Sequence, residues 1–354
     1  MANNPKAKFE TLVKSLQKSA EYKNYLEARS AVLAMMANDP AGSTPSKYWQ
    51  EELAGFDYML DASPLIVRNL RRHCYHIAGI HDYDYRDHHQ HRMGKVEKRL
   101  KHLCSIDVDN LLVAENPALG GYGYKIDGAK YNADTVNFYE CLLAMKKAGA
   151  LDGLKDGGGR RTVLEVGSGW AGLAYQFKTL FPNTTYVMVD LPPTFVFSIT
   201  YAKTLFPKAK TLIVNGTRKS LEELSRKNLS EYDFVFIPHY LFPKLNFHRP
   251  DMLLNRASFQ EMTSAQVEGY AKKAKEWGIP LIYSMNRDKS PHNSEMTSVR
   301  EILGRYYNLE EIEIKEKSAS GILATAKKFL LAAALKKKGL PEELLHRHVI
   351  ARLV

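Results

Sequence analysis

Two carboxylates and three glycines stand in an order suited to a small ligand rich in hydroxyls. The run Leu164-Glu-Val-Gly-Ser-Gly-Trp170 places Gly167, Ser168 and Gly169 in a G-x-G-x-x-G turn closed by Gly172. Glycines there let the backbone approach a ligand closely. Asp190 follows a second apolar run, at the position where a carboxylate accepts hydrogen bonds from the two hydroxyls of a ribose. Glu165 sits two residues before the first glycine, in a strand expected to be buried on both faces. A buried carboxylate needs a partner, and an ammonium group on the ligand would supply one. Two further residues suit proton transfer. His239 has the side chain whose ordinary pKa lies nearest neutrality. Glu261 follows an apolar run by six residues, although Ser258-Phe-Gln-Glu261 also fits the capping box of a helix. Asn286 closes another apolar run and suits orientation of an acceptor, with His248 and His292 as weaker candidates.

These residues need a scaffold that brings strand ends together. From residue 160 onward strands and helices alternate, which predicts an α/β domain with a mainly parallel sheet. Thr162–Val166 and Thr185–Val189 read as the first two strands, and Thr194–Leu205 as a helix. Asp233–Ile237 is taken as the third strand and Asp251–Asn255 as the fourth. That choice leaves a normal crossover before a helix over Ser264–Trp277 and a fifth strand at Pro280–Ser284. Lys210–Val214 becomes an additional strand or an edge loop. Glu311–Ile314 and Gly321–Ala326 are expected to pair as an antiparallel hairpin. Before the sheet, residues 1 to about 115 read as helical, with Ser63-Pro64 capping a helix over Leu65–His76. A glycine-rich loop at Asn116–Tyr124 and a helix over Ala133–Ala148 follow. The expected division is a helical domain at 1–115 that covers the acceptor, a cofactor domain at 116–328 and a basic helical tail at 329–354.

The turn admits two ligands, a dinucleotide or S-adenosylmethionine (SAM), and Asp190 suits either ribose. Glu165 favours SAM, whose methionine end carries an ammonium. The antiparallel hairpin favours it too, since a final antiparallel strand marks the SAM-dependent methyltransferase sheet. More specifically, the chain resembles the sugar O-methyltransferase family of SAM-dependent enzymes. The resemblance is carried by Leu164–Trp170, Val189-Asp-Leu-Pro-Pro193, Phe236-Ile-Pro238, Asn255-Arg-Ala-Ser-Phe-Gln-Glu-Met262 and Tyr283-Ser-Met-Asn286. It covers roughly Asn116 to Ile314, and the helical N-terminal part more loosely. It implies the class I methyltransferase fold and a SAM site drawn from Glu165, Gly167, Ser168, Gly169, Asp190, Leu191, Pro238 and Asn255. The acceptor it implies is a hydroxyl of a sugar or glycosylated small molecule. Tyr131 and Thr135 lie just before the core domain, where chain order lets a lid close over the cofactor. Methyl transfer to a hydroxyl needs alignment and a proton acceptor, for which Glu261 and His239 are the candidates.

The segment His81-Asp-Tyr-Asp-Tyr-Arg-Asp-His-His-Gln-His91 offers metal-binding side chains, but no spacing with a known metal geometry. It is expected to be a polar element facing the acceptor cleft, and no metal is assigned. The chain has 354 residues, 45% hydrophobic and 25% charged, an ordinary balance for a globular protein that buries a core. Cys74, Cys104 and Cys141 are far apart, which argues against a disulfide framework and fits a reducing cytoplasm. The N-terminus lacks the apolar stretch of a secretory signal, and no apolar run has the length of a membrane span. A net charge of +11 admits a nucleic-acid methyltransferase as the main alternative, but no RNA-binding module is visible. A non-catalytic SAM-binding scaffold is the third reading. The helical N-terminal part is expected to support a homodimer.

Overall fold

A computed structural model describes residues 4–354 except 41–44, 79–89, 155–158, 227, 246–248, 291, 296–297 and 315–344. The N-terminal part is helical: α1 (Pro5–Gln17), α2 (Ala20–Ala37), α3 (Lys47–Ala54), α4 (Pro64–Arg68), α5 (Tyr75–Ala78) and α6 (Gln90–Ile106). Side chains of Asn4, Ser19, Ser46 and Ser63 cap the first four, each accepting a hydrogen bond from a first-turn amide. The single helix expected over Leu65–His76 is instead broken. Ser63 caps a short α4, a 3-10 turn follows at Leu70–His73, and α5 comes after it. Arg71 turns fully inward at this break, onto Glu115 and Asp134. A buried guanidinium fixed by two carboxylates outweighs the small propensity for an uninterrupted helix.

A two-stranded hairpin, β1 (Tyr124–Ile126) and β2 (Ala129–Tyr131), leads into α7 (Ala133–Lys147). The main sheet then forms from β3 (Arg161–Val166), β4 (Thr184–Asp190), β5 (Thr211–Ile213), β6 (Phe234–Pro238), β7 (Met252–Arg256), β8 (Leu281–Asn286), β9 (Tyr307–Glu311) and β10 (Arg347–Leu353). Its helices are α8 (Gly172–Leu180), α9 (Phe195–Leu205), α10 (Arg218–Arg226), α11 (Ser264–Glu276) and α12 (Val299–Gly304). The strand order is β5-β6-β4-β3-β7-β8-β10-β9. All pairings from β5 to β8 are parallel, and β10 runs antiparallel to both neighbours. This is the mostly parallel sheet with an antiparallel end that the sequence predicts. The third and fourth strands fall where crossover length placed them, and β5 is the additional edge strand.

Two expectations are corrected at the C-terminus. The antiparallel partner of β9 is β10, whereas Gly321–Ala326 lies outside the described residues. The tail expected as helix through residue 354 ends in β10, whose Val349, Ile350 and Ala351 are buried in the sheet. Much of that tail, 329–344, also lies outside the described residues.

Strand side chains alternate between two cores, as a period of two requires. Val163, Tyr186, Met188, Phe234, Phe236, Leu254 and Tyr283 face α2, α7, α8 and α9. Leu164, Val166, Val187, Val189, Val235, Leu253 and Ile282 face α11 and α12. Helix α2 lies against α9, so Tyr25, Val32 and Met35 share one apolar cluster with the sheet. No helix among the described residues is long and apolar enough to cross a membrane.

Candidate active site

The site sits at the C-terminal ends of β3, β4, β6, β7 and β8, the edge where open α/β sheets bind ligands. Gly167 and Gly169 adopt left-handed backbone, with φ of 76° and 54°. A Cβ on Gly167 would lie 2.0 Å from the Ser258 hydroxyl, so no other residue fits there. The Gly167 amide donates to the Val189 carbonyl at 2.8 Å, which folds the turn back over β4.

Asp190 is the hub of this turn. Its carboxylate accepts from the Gly169 amide at 2.7 Å and from the Leu191 amide at 2.7 Å, with the Ser168 hydroxyl at 3.4 Å. Burial raises its pKa to about 6, and the two backbone hydrogen bonds hold it from rising further. Pro238 lies beside Asp190 in the register of β4 and β6, and His239 opens the turn that follows. Gly167, Ser168, Gly169, Asp190, Leu191 and Pro238 are thus brought together.

Glu165 points to the α7 side of the sheet. It is 2% exposed, and its carboxylate accepts from the Tyr186 hydroxyl at 2.9 Å. Burial pushes its pKa up to about 8, with the Tyr186 hydrogen bond and the more distant Arg256 charge opposing. No ion pair with a described residue neutralises it.

Other expected residues are occupied by the protein itself. Asn255 donates to the Val166 carbonyl at 2.8 Å and accepts from the Phe259 amide and the Asn286 side chain. Asn286 donates also to Ser284 and accepts from the Gln260 amide. Together they brace the loop after β7. Thr135 forms the capping box of α7 with Asn132, and its carbonyl accepts from Gln176. Tyr131 is buried in β2 opposite Tyr124.

Glu261 does not open a helix. It ends a 3-10 turn at Phe259–Glu261, and Ser258 makes no side-chain cap there. The box that starts α11 belongs to Thr263 and Gln266. Glu261 is half-buried, and desolvation raises its pKa to about 8. Helix α3 reaches this loop, because Ser46 donates to the Glu261 carbonyl at 2.5 Å. Glu52 and His76, 3.1 Å apart, come from α3 and α5. His248 and residues 81–89 of the histidine-rich segment lie outside the described residues, and His292 is exposed.

Sequence reasoning overlooked Arg256 and Arg287. Each stands immediately past an asparagine that was singled out, at the ligand edge of an adjacent strand. The signal was present in the strand ends. A cavity of about 410 Å³ at the opposite sheet edge is lined by Ser298, Arg300, Glu301, Leu309, Glu311 and Val349. Its charges are already paired, Arg300 with Asp288 and Glu311.

The chain matches no protein-family model. It matches no curated protein either. Among solved structures it is similar to phosphoethanolamine N-methyltransferase 2 of Haemonchus contortus in complex with S-adenosyl-L-methionine. The identity is 12% and the TM-score 0.34, over 61% of this chain and 52% of that one. The chain therefore spans about half the length of that enzyme. It is also similar to the N-methyltransferase NodS of Bradyrhizobium japonicum in complex with S-adenosyl-L-homocysteine. There the identity is 9% and the TM-score 0.33, over 73% of this chain and 98% of that one.

Proposed function

We propose that the protein is a SAM-dependent O-methyltransferase that methylates a hydroxyl of a sugar or glycosylated small molecule. The observation that carries the reading is the pair of carboxyls flanking one glycine turn. Asp190 is fixed by two backbone amides at the C-terminal end of β4, where it would face the ribose hydroxyls. Glu165 is buried with no cation at ion-pair distance among the described residues, and an ammonium would compensate it. Gly167, Gly169 and Leu191 would supply the walls, with Pro238 beside the ribose carboxylate. When bound, SAM supplies an electrophilic methyl carbon on a sulfonium.

The chain's own residues then hold the acceptor and receive its proton. Glu261 suits the second task, because its carboxyl is half-buried beside the strand ends and plays no part in capping α11. A base whose pKa lies near the working pH transfers protons most effectively. His239 is the alternative acceptor of the proton, one residue past β6. The N-terminal helices α3 and α5 contribute Glu52 and His76 to the same region, which supports their reading as the acceptor cover. Phe9 and Leu12 on α1, with Leu26, Leu33 and Met36 on α2, are exposed apolar side chains, and a second copy of the chain would cover them.

The test is methyl transfer from SAM across sugar nucleotides, free glycosides, polysaccharide fragments and hydroxylated natural products, read by mass spectrometry. A methylated oxygen on a sugar-bearing acceptor is expected, together with a roughly 10²–10⁴-fold loss in Glu261→Gln. Transfer to nitrogen of a nucleobase alone would replace this reading by the nucleic-acid one.

A further inference from the structure

We propose that Arg256 and Arg287 bind an oxyanion on the methyl acceptor, a carboxylate or a phosphate, beside the Glu261 carboxyl. The proposal rests on the methyltransferase reading of the site and narrows its acceptor to an acidic one.

The register sets the two side chains together. Arg256 ends β7 and pairs with Met285 of β8, and Arg287 stands two residues past Met285. Alternation therefore puts both on one face, a pleat apart, on adjacent strands. That face is the one of Glu165 and α7, since the Arg256 guanidinium lies 4.7 Å from the centre of the Phe138 ring. His346, the residue before β10, comes next to Arg287, because Arg347 pairs with Asn286.

Neither guanidinium is neutralised by a described residue. The Nε atoms of Arg256 and Arg287 are buried without a hydrogen-bond partner, and neither residue has an ion pair with a described residue. Arginines elsewhere around the sheet do find carboxylates: Arg160 with Asp233, Arg161 with Asp251, Arg300 with Asp288, Arg305 with Glu268 and Arg347 with Glu311. Two unpaired guanidiniums at a ligand edge carry a desolvation cost that a bound anion removes. Arginine's planar fork matches a carboxylate or phosphate with paired hydrogen bonds. The neighbouring acids do not compete strongly. Burial raises Glu261 to about 8, so it is largely uncharged at neutral pH, and Glu165 is engaged by the Tyr186 hydroxyl 2.9 Å away. Desolvation and the Arg287 and Arg256 charges lower the His346 pKa to about 4.

The test is isothermal titration of the full chain saturated with S-adenosylhomocysteine, at pH 7. The probes are glucuronate, glucose 1-phosphate, inorganic phosphate and neutral glucose. At least one anion is expected to bind ten times more tightly than glucose. Glucuronate ahead of the phosphates would identify a carboxylate acceptor, and the reverse order a phosphorylated one. Arg287→Gln and Arg256→Gln should each lose that preference, while Arg287→Lys keeps the charge and recovers part of it. S-adenosylhomocysteine affinity of Arg287→Gln should stay within threefold of the parent. If the parent binds S-adenosylhomocysteine but none of the anions, or binds an anion equally well in both glutamine variants, the proposal is overturned while the cofactor reading stands. An inability of the parent to bind S-adenosylhomocysteine would overturn the cofactor reading itself.

Discussion

Replacing Glu165 by glutamine removes a titration and little else. Glutamine keeps the volume and can still accept the Tyr186 hydroxyl. In the folded protein the Glu165 carboxyl ionises only near 8, whereas in the unfolded chain it ionises near 4.5. Its contribution to stability is therefore full below pH 4.5 and is lost as the pH rises to about 8, where both states are ionised. The interval corresponds to roughly 5 kcal/mol at most. Relaxation and water entry lower it, and about 1–3 kcal/mol is the expected gain in stability for Glu165→Gln at pH 8. At pH 5 the gain should shrink below ~1 kcal/mol. Cofactor binding should move the other way. An ammonium beside Glu165 favours the ionised carboxyl, but a free α-amino group titrates near 8 as well, so parent affinity for SAM should rise only about twofold from pH 7 to pH 8. The variant should bind SAM more weakly and lack that rise. Urea denaturation at the two pH values, with titration of SAM, measures all of this. A variant less stable than the parent at pH 8 would mean that Glu165 is a charged, well-paired carboxylate, and the reasoning would fail.

Three other outcomes follow from the same geometry. At saturating SAM and acceptor, turnover should rise about tenfold per pH unit up to about 8 and then level off, because Glu261 must be ionised to accept a proton; a flat profile from pH 6 to 9 would remove Glu261 from the chemistry. Arg71 is fully buried against Glu115 and Asp134 and lies 3.7 Å over the Trp170 ring. Arg71→Met leaves two buried carboxyls uncompensated and should cost about 3–5 kcal/mol in urea denaturation, and a loss under ~1 kcal/mol would contradict the ion-pair account. Leu33→Glu, on the exposed face of α2, should give a monomer by light scattering if that face joins two copies, whereas an unchanged mass would dismiss it.

The central sheet was legible because its strands are buried on both faces and read as near-continuous apolar runs. Crossover length alone separated β6 from β7 as third and fourth strands. Local turn chemistry was legible in part. Asp127-Gly128 is a two-residue hairpin turn with φ of 49° and 85°, and its Asp-Gly pair is the local signal for the β1–β2 hairpin. Other features depend on contacts remote in the chain. The break between α4 and α5 comes from Arg71 reaching Glu115 and Asp134, which no local pattern encodes. The partner of β9 lies more than thirty residues farther on, in a short run that reads as tail. Around the candidate site, the spacing of Gly167, Gly169 and Asp190 predicts a tight turn at the strand ends, and the left-handed glycines and the Asp190 hydrogen bonds form one. Asn255 looked like a ligand because of its place at a strand end, yet its amide is engaged in bracing Val166 and Phe259. Ser258 and Glu261 fitted a capping box that Thr263 and Gln266 form instead.

The central claim is that the Gly167–Asp190 turn holds SAM, and isothermal titration of the parent and Asp190→Ala with SAM and S-adenosylhomocysteine tests it most directly. The parent should bind both at one site per chain, and Asp190→Ala should lose roughly 1–3 kcal/mol with each, the scale of a charge-assisted hydrogen bond. Equal affinity in parent and variant would contradict the placement, and binding of NAD without binding of SAM would contradict the claim outright.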